Sequence, residues 1–158
     1  MPRTALAALL ALGFASTPAF AGRLPDGGVT VDEVAEVMQK KGVRAEISNE
    51  STEDGAVRIR SGLDGTNFFV RFFDCRPDGR CVAVQFVAAF DLPNGTTFQR
   101  ANLWNSENRF GRAYLDDEMD PFVAVDADFE RGATTEAIAN EFEVWAAVMT
   151  RFKQFVFN

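Results

Sequence analysis

Apolar residues recur at helical spacing in two stretches of the chain, and in six others they alternate with polar residues or run almost continuously. Val31, Val34, Ala35 and Met38 share one face of a helix. Thr30 opens it, Glu33 three residues on completes a capping box, and Gly42 stops it. Near the end of the chain Ile138, Phe142, Trp145, Met149, Phe152 and Val156 form a long amphipathic stripe that Thr134 can cap. A short helix is expected in between, opened by Thr96 with Gln99 and running to about Asn105. Its stripe is Phe98, Asn102 and Asn105, with amides where a core face would carry apolar groups. Those amides must find partners, either backbone groups of the following turn and strand or a polar ligand.

The alternating stretches predict strands. Val43, Ala45 and Ile47 alternate with Arg44, Glu46 and Ser48. Val57 and Ile59 alternate with Arg58 and Arg60 after the polar turn 49–55, and 62–65 is a second turn. Thr66 to Asp74 and Cys81 to Phe90 make the strongest pair, joined by the Pro77-Asp78-Gly79 turn. Arg109 to Leu115 and Phe122 to Asp128 form a further hairpin across the acidic turn 116–120. The order is α-β-β-β-β-α-β-β-α. Short connections between successive strands imply an α+β fold, an antiparallel sheet of five to six strands with three helices to one side. No internal repeat or linker divides it, so residues 30–158 read as one domain behind a loose lead-in at 22–29.

The first residues bear on location. Arg3 is followed by the apolar run 5–15, a break at Thr17-Pro18, and small residues at Ala19 and Ala21. This is the layout of a secretory signal cleaved between Ala21 and Gly22, and the run is too short to span a bilayer. The expectation is an exported mature protein with no membrane span.

Composition narrows the chemistry. The chain carries 23 acidic against 16 basic residues and no histidine. Its charge repels phosphate backbones, which argues against a nucleic-acid partner. Without histidine, Ser–His and Cys–His nucleophiles and histidine metal sites are unavailable. No cofactor is indicated. Cys75 and Cys81, the only two cysteines, flank the turn of the strongest hairpin. In an exported protein they are expected to pair, fixing the hairpin's register. Closing so short a loop contributes about 2 kcal/mol in the chain-entropy model. Their spacing departs from that of thiol oxidoreductases, and two thiols alone leave a zinc shell unfilled. Asp116, Asp117, Glu118 and Asp120 crowd one turn but lack the glycine and glutamate positions of an EF-hand loop, so a solvated turn is expected.

The strongest hairpin is apolar on both faces. Phe68, Val70 and Phe72 point one way and Phe69, Arg71 and Phe73 the other. Val82, Val84, Phe86, Ala88 and Phe90 likewise alternate with Ala83, Gln85, Val87 and Ala89. A one-sided sheet would alternate cleanly. Either both faces are covered within the monomer, or the one with Phe69, Arg71 and Phe73 awaits a partner.

Cys75 to Phe90, Asn102-Leu103-Trp104-Asn105, Arg109 to Asp116 with Tyr114, Asp120-Pro121, and the last helix with Trp145 and Phe152 together resemble the YbjN-domain family. Members of that family are described as bacterial sensory transduction regulators. The likeness covers about residues 29–155, and the signal and cysteines resemble its exported branch. The resemblance implies a fold similar to type III secretion chaperones, which bind extended polypeptide and commonly dimerise, and a Gram-negative bacterial envelope protein located in the periplasm. It supplies no catalytic residues. Asn102, Trp104, Asn105, Arg109, Tyr114 and Asp116 belong to the shared motif and are expected to be structural. An exported relative cannot load a cytoplasmic secretion machine. The expectation is therefore a non-enzymatic binding or regulatory module that recognises a protein or peptide partner through a sheet face or a hydrophobic groove. The alternatives are a homodimer that buries the second sheet face and, more remotely, a carboxylate-based envelope hydrolase.

Overall fold

The computed structural model describes residue 22, residues 24–48 and residues 58–158. The expected signal segment with Ala21, and Val57 with the turn before it, lie outside the described residues. The chain forms α1 (Val31–Lys40), β1 (Ala45–Ser48), β2 (Arg58–Leu63), β3 (Thr66–Cys75), β4 (Cys81–Ala89), α2 (Phe98–Glu107), β5 (Arg112–Leu115), β6 (Pro121–Asp128) and α3 (Thr135–Phe157). This is the expected α+β order with six strands.

Local chemistry sets most of the boundaries. The α1 capping box is complete, with Glu33 N donating to Thr30 Oγ1 and Thr30 N to Glu33 Oε2. Thr134 accepts from Ala137 N and starts α3. Three boundaries differ from expectation. The N-cap of α2 is Thr97, not Thr96; it accepts from Arg100 N, and the helix continues to Glu107. The β2–β3 turn is only Asp64-Gly65, where both residues have positive φ, as the tight hairpin turn requires. Gly62 and Leu63 therefore belong to β2. The last hairpin begins at Arg112, and residues 109–111 are a loop. Ile47 was expected to be half-buried but is exposed on the short edge strand β1.

The sheet is antiparallel throughout, ordered β1-β2-β3-β4-β6-β5, with four-residue strands at both edges. All three helices pack on one face. Phe68 of β3 and Phe86 of β4 each meet Phe142 and Trp145 of α3. Val34 and Met38 of α1, Trp104 of α2, Ile59 of β2 and Val123 of β6 join the same core.

The residues before α1 are fastened to this frame. Leu24 N donates to Ala133 O, and Val29, fully buried, exchanges two backbone hydrogen bonds with Cys81. Arg80, expected only as a turn residue, is buried. Its Nε and Nη2 donate to Gly28 O at 3.1 and 2.6 Å, and Nη1 and Nη2 reach Glu33 Oε1 and Oε2 at 3.2 and 3.0 Å. Gly28 cannot be replaced easily, because its φ is +113° and an added Cβ would lie 2.3 Å from Cys81 O. Beside this clamp, Cys75 and Cys81 stand opposite each other and are disulfide-bonded.

Candidate functional site

Strand register places the side chains of the second sheet face in rows. Arg60, Phe69, Val87, Ala124 and Arg112 stand opposite one another across β2, β3, β4, β6 and β5. Arg71, Gln85 and Asp126 form the next row, and Phe73, Ala83 and Asp128 the one after. Val87 and Ala124 are each 1% exposed, yet neither belongs to the core beneath the helices. They are covered from their own side of the sheet, where Phe69, Arg71, Phe73, Tyr114 and Phe122 are half-buried. The face is thus a thin apolar layer set among arginines, with no described helix packed over it.

Polar contacts organise this layer. Gln85 Nε2 donates to Asp126 Oδ1 at 2.7 Å, and Arg112 lies 3.8 Å from the other oxygen of the same carboxylate. The Arg60 guanidinium sits 6.0 Å from the Phe69 ring and that of Arg112 5.1 Å from Tyr114. Tyr114 in turn stacks on Phe122, with centroids 5.1 Å apart. Burial raises the Tyr114 phenol above its ordinary pKa; Arg71 and Arg112 pull it down and Asp126 pushes it up. A raised folded-state pKa for an acid contributes stability below the unfolded value that is lost as pH rises through the folded one. Tyr114 is the only tyrosine, so absorbance of the phenolate reports it alone. Native protein should ionise at higher pH than urea-unfolded protein, and Arg71→Gln should move the midpoint higher still. A native midpoint at or below the unfolded one would contradict this burial.

The motif residues occupy different places. Trp104 is buried and donates through Nε1 to Gly111 O at 2.8 Å. The Asn105 amide takes Ala113 N at 2.8 Å and gives to Ala113 O at 3.1 Å, so it continues the backbone pairing of edge strand β5. Asn102 is exposed on α2. Asp116 Oδ1 accepts from Glu118 N and Asp120 N, and Asp120 Oδ1 accepts from Leu92 N. The acidic turn is held together by these carboxylate caps. Arg109 is exposed, its guanidinium 5.4 Å from the ring of Phe110, itself 53% exposed.

Arg109 and Phe110 border a groove whose place the sequence did not indicate. It has a volume of about 410 Å³. One wall is the end of α2 and the following loop, from Trp104 to Phe110; the other is Val144, Ala147, Val148 and Arg151 of α3. Gly111 makes the close approach possible: its φ is +84°, and a Cβ there would lie 2.4 Å from Val148 Cγ1. Asn108 ties the walls together, giving a hydrogen bond to Trp104 O and accepting one from Arg151.

These features define an α+β domain whose sheet is packed by helices on one side and carries a compact aromatic–arginine layer on the other. The chain belongs to the YbjN family, whose profile matches residues 30–157 and is described as "Putative bacterial sensory transduction regulator". Neither a curated protein nor a solved structure matches it. Among the described residues, no helix is long and apolar enough to cross a membrane.

Proposed function

We propose that this domain is a non-enzymatic regulatory module, exported to the periplasm, that recognises a protein partner through the face bearing Phe69, Arg71 and Phe73. The observation that carries this reading is the second apolar layer, Val87 and Ala124 beneath half-buried aromatics, with no described helix over it. Apolar area beside a positive charge suits an aromatic anchor with a charged contact that sets specificity. Membership of a family described as regulators agrees with a role in binding.

The test uses Phe69→Ser and Phe73→Ser in the full chain. Each should cost about 1 kcal/mol of stability, within the ordinary range for a partly exposed position, and each should weaken partner capture from the periplasm. The core counterpart Phe68→Ser should instead cost several kcal/mol. Sedimentation of the wild type distinguishes a homodimer from a separate partner. Severe unfolding of both face variants, with a monomeric wild type that captures nothing, would overturn the reading. N-terminal sequencing of the periplasmic protein tests the exported half of it: the expected first residue is Gly22, and an intact Met1 on a cytoplasmic product would contradict it.

A further inference from the structure

We infer that the groove between the end of α2 and the middle of α3 is a binding site for a small amphiphilic anion, a molecule with an apolar body and one carboxylate or sulfonate head. This goes beyond partner recognition, and neither the groove nor the hollow that joins it to the β5–β6 edge of the sheet is lined by Phe69, Arg71 or Phe73. The volume, about 410 Å³, is in the range of small-molecule sites. The α3 wall is apolar through Val144, Ala147 and Val148. Phe110 stands over the groove and remains 53% exposed, although it lies within 5.4 Å of the Arg109 guanidinium.

Charge selects the ligand class. Arg109 and Arg151 border the groove against one carboxylate, Glu107. Adjoining hollows add Arg100, which donates to Phe155 O, at the end of α3, and Arg112 with Asp126 at the sheet edge. The chain as a whole has a net charge of −7, so this cationic rim is a local exception. An anionic head placed between Arg109 and Arg151 would receive charge-assisted hydrogen bonds from planar guanidinium donors, while its apolar body covers Val144 and Phe110. A cation or an extended neutral polar molecule would gain neither contact.

The probe is 1-anilinonaphthalene-8-sulfonate, titrated against native full chain, with its uncharged analogue N-phenyl-1-naphthylamine in parallel. Saturable binding with one site is expected, weaker in high salt, and tighter for the sulfonate than for the uncharged analogue. Arg109→Gln and Arg151→Gln should each weaken sulfonate binding about tenfold, the scale of one hydrogen bond to a charged group; Arg109→Gln should leave the melting temperature unchanged, and Arg151→Gln, which gives up its exposed bond to Asn108, should lower it only slightly. Ala147→Trp, at an exposed position of α3, should fill the groove and abolish binding. Arg71→Glu, on the sheet face, should leave the probe affinity unchanged, so failure of this site and failure of the partner face are separable. Equal affinity for the charged and uncharged probes, sulfonate binding unaffected by either arginine substitution, or no saturable binding at all would each overturn the assignment.

Discussion

Arg80→Met should lower the unfolding free energy by about 3–5 kcal/mol, the cost of breaking a buried ion pair from one side. The side chains of Arg80 and Glu33 are only 10% and 21% exposed. The guanidinium spans Glu33 at 3.0 and 3.2 Å and Gly28 O at 2.6 and 3.1 Å. Its removal leaves a carboxylate and a carbonyl without these donors at the point where the lead-in, the start of α1 and the β3–β4 turn converge. Glu33 also holds Thr30 N, so the α1 cap is strained by the same change. Adding Glu33→Leu to Arg80→Met should recover part of the loss, since the unpaired carboxylate is removed with its partner. Denaturant unfolding of both variants checks this. A loss below about 1 kcal/mol for Arg80→Met, as for an exposed pair, would contradict it.

Trp104→Ala should cost a similar amount, about 3–5 kcal/mol, as for other large-to-small core changes. Trp104 is the buried residue of α2, so the helix is anchored largely through it. The indole meets Phe152 edge-on with centroids 4.8 Å apart, touches Phe155, and hydrogen-bonds Gly111 O. Truncation opens a cavity between α2 and α3 and frees the loop that carries Arg109 and Phe110. Trp104→Phe keeps part of the packing but loses the hydrogen bond, so an intermediate loss is expected in the same unfolding experiment. A loss within about 0.5 kcal/mol for Trp104→Ala, as at an ordinary surface site, would show that α2 is held elsewhere.

What could be read from the sequence was what short-range physics decides. Thr30 with Glu33, and Thr134, mark helix starts through hydrogen bonds three residues long, so the pattern alone identifies them. Cys75 and Cys81 face each other because a six-residue separation across a Pro-Asp-Gly turn leaves them little else to meet. Asn105 was legible as an amide needing backbone partners, and Ala113 of β5 supplies them. At α2 the Thr96–Gln99 spacing pointed to the wrong threonine; the cap is Thr97, which accepts from Arg100 N.

The misses have a common cause in sequence distance. Arg80 looked like turn filler because its partners Gly28 and Glu33 lie 52 and 47 residues away. The groove joins residues 104–110 to the 144–151 stretch of α3, and no local period reports that meeting. Alternation in β3 and β4 showed two apolar faces, and Arg71 between Phe69 and Phe73 pointed to theirs as the one left for a partner, but the pattern did not show what takes the other. It is taken by the stripe of α3, whose Phe142 and Trp145 settle on Phe68 and Phe86 and leave Phe69 and Phe73 on the other side.

Site-specific photocrosslinking in intact cells tests the partner face most directly. A photoreactive residue in place of Phe73 should yield a covalent adduct with another envelope protein, while the same residue in place of Glu118, in the exposed acidic turn, should not. An adduct at Phe73 with twice the mass of the chain would establish the homodimer instead. No adduct at Phe73, or the same adducts from Phe73 and Glu118, would contradict the account.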